Sequence, residues 1–117
     1  MNLAIIGSRG FHDYEFLKKE VNQFLEENNF VLDNIVSGGA KGADRMAEIY
    51  ALEYDINMIV YIADWDLHGK SAGYKRNVQI IDNSDAVIAF WDGSSKGTLH
   101  SINLAKEKNK QLKVITT

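Results

Sequence analysis

The sequence predicts a three-layer α/β fold around a five-stranded, mainly parallel sheet with the strand order 3-2-1-4-5. Short apolar runs rich in β-branched residues alternate with longer amphipathic segments along the whole chain. Each amphipathic segment is long enough to form a helical crossover between two parallel strands. The chain has no proline, internal repeat or low-complexity run that would mark a linker, so residues 1–117 are expected to form a single domain.

Each strand is predicted from a short apolar run that is bounded by polar or turn-forming residues. The first run, Leu3 to Ile6, contains no polar residue and ends at Gly7, as is typical of a strand buried on both faces. The predicted strands are 3–6, 33–37, 57–62, 85–90 and 112–115.

Four helices are predicted between these strands from apolar residues that recur every three or four positions. Asp13 is suited to cap the first helix, which is expected to end near Asn28. The third helix, containing residues 75–81, is expected to follow a long connection, residues 63–74. We expect the following residues to face the sheet: Leu17, Val21, Phe24 and Leu25 in the first helix, Ala43, Ala47, Tyr50, Ala51 and Tyr54 in the second, and Leu99, Ile102 and Ala105 in the fourth.

The composition is that of an ordinary globular protein, with 45% hydrophobic and 25% charged residues. The chain starts directly in a predicted strand and contains no apolar run near the ~18 residues of a membrane span, so a cytoplasmic location and no membrane partner are expected. Without cysteine, the chain has no disulfide and no thiolate nucleophile. The formal net charge of −3 argues against extended, sequence-blind binding to nucleic acid, because surfaces of that kind are usually basic.

The segment from Val36 to Arg45 is predicted to end a strand, turn through three glycines within residues 38–42 and begin a helix. Glycines bring bare backbone N–H groups close to a ligand, and a helix N-terminus carries partial positive charge. The segment therefore predicts an anion site, although its spacing fits neither the phosphate loop of nucleotide triphosphatases nor the dinucleotide fingerprint. A plain tight turn is the alternative.

Cations gather at the strand-to-helix connections, which all lie at the carboxyl edge of a parallel sheet. These cations are Arg9, Lys41, Arg45, Lys70, Lys75, Arg76 and Lys96. An acidic chain with its cations at one edge is expected to attract an anionic small molecule to that edge.

A second glycine-flanked turn, Gly93 to Thr98, precedes the fourth helix. Its hydroxyl groups and backbone N–H groups are suited to donate to phosphate oxygens, and helix capping is the alternative role for Ser94, Ser95 and Thr98. Trp65 and Trp91 each begin a carboxyl-edge loop and are expected either to stack on a base or to pack beneath the loop.

The remaining polar residues at this edge predict no metal centre and no catalytic group. Asp44 is expected either to cap its helix or to bind a ribose hydroxyl. Asp64, Asp66 and His68 alternate within one loop, a pattern that does not define a ligand geometry. His100 is interpreted as a surface or capping histidine. No metal or cofactor is therefore expected.

With these residues identified, the chain resembles the SLOG superfamily of Rossmann-like nucleotide-binding proteins, which includes the SMF DNA-processing proteins and the LOG phosphoribohydrolases. It is most similar to the small YspA-type branch. The matching motifs are Gly7-Ser8-Arg9-x-Phe11, Ser37-Gly38-Gly39-Ala40-x-Gly42-Ala43-Asp44, the run from Ala63-Asp64-Trp65 through Gly69-Lys70 and Ala72-Gly73 to Arg76-Asn77, and the segment from Asp85 through Gly97-Thr98.

The resemblance implies a pocket for a nucleotide or nucleotide-derived molecule, and pairing of two copies. LOG enzymes carry Gly-Gly-x-Gly-Thr-x-x-Glu and use its glutamate with an upstream arginine; here Arg76 matches the arginine, whereas Ser101 stands at the glutamate position. Because serine cannot replace that carboxylate, enzymatic activity is left open, with Arg76 and Asp92 as catalytic candidates.

The prediction from sequence is thus a sensor or sequestering protein for an ADP-ribose-like or signalling nucleotide, with a nucleotide hydrolase as the alternative. A third hypothesis, binding of single-stranded DNA by analogy with the SMF proteins, is disfavoured by the acidic composition. The predicted ligand-binding residues are Gly7, Ser8, Arg9, Ser37, Gly38, Gly39, Lys41, Gly42, Asp44, Trp65, Lys70, Arg76, Asn77, Trp91, Gly93, Ser94, Ser95, Lys96, Gly97 and Thr98.

Overall fold

The computed structural model describes residues 1–117 and contains one five-stranded sheet, all parallel, in the order β3-β2-β1-β4-β5. The predicted fold class and strand order are confirmed. The strands are β1 Asn2–Gly7, β2 Asn34–Ser37, β3 Asn57–Val60, β4 Ala86–Trp91 and β5 Gln111–Thr116. The helices are α1 Tyr14–Glu27, α2 Ala43–Glu53, α3 Trp65–His68, α4 Ala72–Asp82 and α5 Lys96–Glu107, with a 3₁₀ turn at Gly69–Ser71.

The central strand β1 supplies both hydrophobic cores, because successive side chains of a strand point to opposite faces. Leu3 and Ile5 pack with α1 and α2 on one face, whereas Ala4 and Ile6 pack with α4 and α5 on the other. All four of these side chains are buried. The run from Leu3 to Ile6 is therefore wholly apolar because helices cover both faces of β1, as predicted.

The strand order reverses between β1 and β4, and this switch point places the site. β1 leads into α1 on one face of the sheet and β4 leads into α5 on the other, so their carboxyl-end loops diverge and leave a cleft. Gly7 is paired with Phe90 in the ladder, and a Cβ at Gly7 would lie 2.4 Å from the Phe90 carbonyl oxygen. The floor of the cleft is thus tightly packed backbone.

Several predicted boundaries and orientations are wrong. β3 ends at Val60 instead of residue 62, and the connection 63–74 contains the helix α3 and the start of α4. Tyr54 is 41% exposed and Leu99 is 38% exposed. Tyr54 follows the last turn of α2, and Leu99 flanks the buried stripe of α5, which runs through Thr98, Ser101, Ile102 and Ala105. None of the helices combines the length and apolar character needed to cross a membrane.

Candidate functional site

The loop after β1 joins the other loops of the cleft through Ser8, which is buried. The Ser8 hydroxyl accepts a hydrogen bond from the Asp92 N–H at 3.0 Å. Its carbonyl oxygen accepts from Phe11 at 3.2 Å and from Ala43 at 3.3 Å. The structure therefore places Gly7 and Ser8 in the framework that holds α2 and the β4 loop in position, with Arg9 exposed at its rim.

The N-terminus of α2 is open at the edge of the cleft. Gly42 is its N-cap, with φ +76°, and no side chain caps the helix. The N–H groups of Asp44 and Arg45 have no partner within the chain. This arrangement is suited to an anion, as the glycine-rich segment predicted.

Asp44 is only 9% exposed and does not take the capping role that was one of its two predicted roles, and binding of a ribose hydroxyl stays a prediction. Its Oδ2 turns back to accept from the Ala40 N–H at 3.1 Å, so it does not cap α2. Burial raises the pKa of Asp44, and this effect exceeds the lowering by the Ala40 N–H, by Arg76 and by the nearby Ser37 and Arg9. The Ser37 hydroxyl itself is buried without a hydrogen-bond partner.

Arg76 reaches from α4 across the cleft. Its Nη1 donates to the Gly38 carbonyl at 2.8 Å, and its Nε donates to Asn77 Oδ1 at 3.1 Å. Burial lowers the pKa of Arg76, and Asp44 partly opposes this shift while Arg9 adds to it. The Gly38 backbone lies against both groups, since a Cβ there would be 2.6 Å from Arg76 Nη1 and 3.0 Å from Asp44 Oδ2.

Asn77 orients Arg76 and also ties α4 to α5. Its Nδ2 lies 3.3 Å from the Gly97 carbonyl and 3.3 Å from His100 Nδ1. His100 packs edge-on against Tyr74 with ring centroids 4.7 Å apart, and burial lowers its pKa. Because an amide NH₂ group only donates, His100 Nδ1 is the acceptor in the contact with Asn77, so the surface or capping role predicted for this histidine is incomplete.

Arg76 separates two cavities. The inner cavity, about 390 Å³, lies over the end of β1 and is lined by Gly7, Asp44, Arg76, Asn77, Thr98 and Ser101, with Arg9 at its mouth. The outer groove, about 700 Å³, is lined by Arg9, Gly39, Lys41, Arg45, Trp65 and Arg76. Arg9 and Arg76 line both, so the two spaces adjoin each other.

The turn at Gly93 to Thr98 differs from the predicted phosphate nest. Asp92 Oδ1 accepts from the N–H groups of Ser94 and Ser95 at 2.9 and 2.8 Å, and this holds the pKa of Asp92 below its usual range. Ser95 is the N-cap of α5, so the capping alternative is correct for this residue. The backbone N–H groups of Lys96 and Gly97 have no partner within the chain.

Trp65 and Trp91 differ in their exposure and in their contacts. Trp65 is 54% exposed in the outer groove, and its ring lies over the start of α4, where a Cβ at Gly73 would be 3.3 Å away. Trp91 packs partly against the core on the α4 and α5 face, and its Nε1 donates to the Ser95 carbonyl at 3.0 Å. Packing beneath the loop is therefore correct for Trp91, whereas Trp65 offers an open ring face. Lys70 is exposed but lines neither space.

Ser101 was missed as a site residue. It is only 3% exposed and lines the inner cavity, and its hydroxyl makes no hydrogen bond within the chain. It lies one turn after Thr98 on the buried stripe of α5, so helical periodicity alone could have identified it.

Comparison with known proteins places the chain in one protein family. The family described as YspA, cpYpsA-related SLOG matches residues 1–68, more than half of the chain. The Gene 61 protein of Mycobacterium phage D29 is 35% identical over 111 residues, which cover 90% of this chain and 88% of that protein. The chain belongs to the YspA, cpYpsA-related SLOG family. The predicted resemblance is confirmed.

Solved structures of two DNA processing proteins share the fold of this SLOG domain. DNA processing protein A from Helicobacter pylori, described for its single-stranded DNA binding mode, matches with a TM-score of 0.73 and 25% identity over 100% of this chain and 66% of that one. Its counterpart from Streptococcus pneumoniae matches with a TM-score of 0.75 and 23% identity over 99% of this chain and 50% of that one. The SLOG chain thus spans about half to two thirds of these structures.

This likeness corrects the functional predictions. The Helicobacter pylori protein binds single-stranded DNA, which contradicts both the small-nucleotide sensor and the nucleotide hydrolase, and also the expectation against a nucleic-acid partner. That expectation rested on net charge, which sums the whole molecule, whereas a strand in a groove meets only the local field. Pairing of two SLOG chains stays a prediction.

Proposed function

We propose that this protein binds single-stranded DNA along the outer groove. The observation that carries the proposal is an open indole face in a groove lined with cations. Trp65 is 54% exposed, and Arg9, Lys41 and Arg45 line the same space. Single-strand binding combines a positive groove along the backbone with aromatic rings on which bases stack.

The charges of the groove favour the DNA backbone despite the acidic composition. Arg9 and Lys41 are exposed and form no ion pair, and Arg45 pairs only with the exposed Glu48, at 2.9 Å. An exposed pair of this kind is weak and can exchange its partner for a phosphate. The uncapped N–H groups of Asp44 and Arg45 add donors at the same rim, so the 38–44 turn is proposed as a phosphate-binding loop.

The direct test is fluorescence anisotropy of labelled oligothymidylate, with its duplex as the competitor and with increasing salt. The proposal predicts saturable binding to the single strand, weaker binding to the duplex, and affinity that falls linearly with the logarithm of salt concentration. Absence of saturable binding at low salt would contradict the proposal. Equal affinity for the duplex would show that the cations bind without the stacking that Trp65 is proposed to provide.

Replacement of Trp65 by alanine is expected to weaken binding of oligothymidylate about tenfold, because stacking of one base on an aromatic ring contributes about 1–3 kcal/mol. Trp65→Phe is the matched control and should retain most of the affinity. Thermal melting of both variants checks the fold, since the indole lies on the surface. Affinity that is unchanged in Trp65→Ala would remove the ring from the interface.

Replacement of Lys41 by alanine is expected to lower affinity and to reduce the slope of log affinity against log salt by about 0.7, the value for one phosphate contact on a single strand. Lys106→Ala is the matched control, because Lys106 is exposed and lies in the last turn of α5, at the opposite edge of the sheet. The control should leave the slope unchanged. Equal slopes for both variants would place Lys41 outside the path of the strand.

A further inference from the structure

The inner cavity presents a buried carboxylate with unused hydrogen-bonding capacity. Asp44 accepts one hydrogen bond, from Ala40, and has no cation within ion-pair distance. Even with the Ser37 hydroxyl turned toward it, the carboxylate would have two donors for about four lone-pair sites. Since a buried carboxylate is unfavourable without donors, a molecule in this cavity is best bound if it brings N–H groups to Asp44.

A phosphate does not meet this requirement, because it brings only acceptor oxygens beside Asp44 and Asp92, which both line the cavity. A nucleobase does. The cavity of about 390 Å³ falls within the size range of small-ligand sites and has an apolar wall at Ile6 and Ile80. One base turned in from a strand in the outer groove would enter past Arg9, which lines both spaces.

The hydrogen-bond donors and acceptors that line the cavity fit some nucleobases better than others. Guanine alone carries two adjacent donors, N1–H and the N2 amino group, on one edge and two acceptors, O6 and N7, on another. A carboxylate accepts both donors, and an arginine donates to O6 and N7 in the commonest specific contact to guanine. The cavity offers a buried carboxylate with spare acceptors, Asp44, and two arginines, Arg9 and Arg76.

We infer that the inner cavity receives a guanine base of the bound single strand, with Asp44 accepting from its N1–H and N2 amino groups. The inference rests on the proposed function. Ser101, 3% exposed and without a partner in the chain, supplies a further hydroxyl to the same base. Thymine offers a single N–H, and adenine and cytosine each place one amino group beside an acceptor that Asp44 would repel.

The test compares oligothymidylate with the same strand carrying one central guanine, inosine, adenine or cytosine, by anisotropy. Guanine should raise the affinity about tenfold over thymine, the scale of one good bidentate contact. Inosine lacks the N2 amino group and should lose most of this gain. Adenine and cytosine should bind like thymine.

Asp44→Asn, which keeps the shape of the side chain but replaces one acceptor by a donor, should bring the guanine-to-thymine affinity ratio close to one. Asp66→Asn is the matched control, because it removes the same charge from an exposed position on α3 and should leave the ratio unchanged. The ratio is the readout, so a general gain in affinity from lost negative charge does not affect it. The inosine comparison needs no variant and stands even if Asp44→Asn fails to fold.

The outcomes separate this inference from the proposed function. Binding of oligothymidylate with no guanine preference would overturn the inference and leave the proposed function intact. A guanine preference that persists in a folded Asp44→Asn variant would place the base elsewhere and also overturn it. No binding of any single strand would contradict the proposed function itself, and the inference with it.

Discussion

Replacement of Gly42 by alanine is expected to destabilise the protein by about 3 kcal/mol or more, from backbone strain and overpacking together. Gly42 has φ +76°, a region that residues with a Cβ rarely adopt, and an added Cβ would lie 2.4 Å from the carbonyl oxygens of both Ser8 and Arg9. Both contacts are backbone and cannot move aside without separating α2 from the β1 loop. Urea denaturation followed by circular dichroism measures the loss.

Gly10→Ala is the matched control for Gly42→Ala. Gly10 lies in the same loop region, has no positive φ, and a Cβ there would have no atom within 4 Å. The control should change the free energy of unfolding by less than about 0.5 kcal/mol. A Gly42→Ala variant as stable as Gly10→Ala would show that the close approach of these loops is not required for folding.

The sheet was predictable because its pattern is local. Leu3 to Ile6 is apolar on both faces, and the helical segments between strands leave few topologies for a parallel sheet. The cap at Asp13 was also predictable, since its side chain accepts from the Phe16 N–H three residues later, at 3.1 Å. Such features depend on residues close in sequence.

The chemistry of the cleft was less predictable because it depends on distant partners. The sequence predicts that Asp44 either caps its helix or binds a ribose hydroxyl. Only the packing of α2 against β1 and the reach of Arg76 from α4 make it a buried carboxylate. Asp92 was a catalytic candidate, yet it binds the Ser94 and Ser95 N–H groups of the turn that was predicted to hold phosphate. The net charge of the whole chain argued against a nucleic-acid partner because it contains no information on where the fold gathers the cations.

Replacement of Arg76 by alanine is expected to destabilise the protein by about 2–3 kcal/mol, the scale of hydrogen bonds made by a charged group that leave their acceptors unpaired. The Gly38 carbonyl and Asn77 Oδ1 would lose their donors, and Asp44 would keep its burial without the nearby positive charge. Arg45→Ala is the matched control, because Arg45 is exposed and pairs only with Glu48 on the surface. Thermal and urea unfolding compare the two.

The loss of stability in Arg76→Ala is expected to depend on pH, and this dependence shows whether the loss arises from the charge of Asp44. Burial raises the folded-state pKa of Asp44, and Arg76 lowers it, so Arg76→Ala should raise it further. A raised carboxyl pKa contributes stability below the unfolded value, about 3.9, and this contribution is lost as pH rises through the folded value. The deficit of Arg76→Ala should therefore be larger at neutral pH than near pH ~4. Addition of Asp44→Asn should recover part of the stability at neutral pH, because the buried charge is gone. A deficit that is independent of both pH and Asp44 would reduce the role of Arg76 to its hydrogen bonds with Gly38 and Asn77.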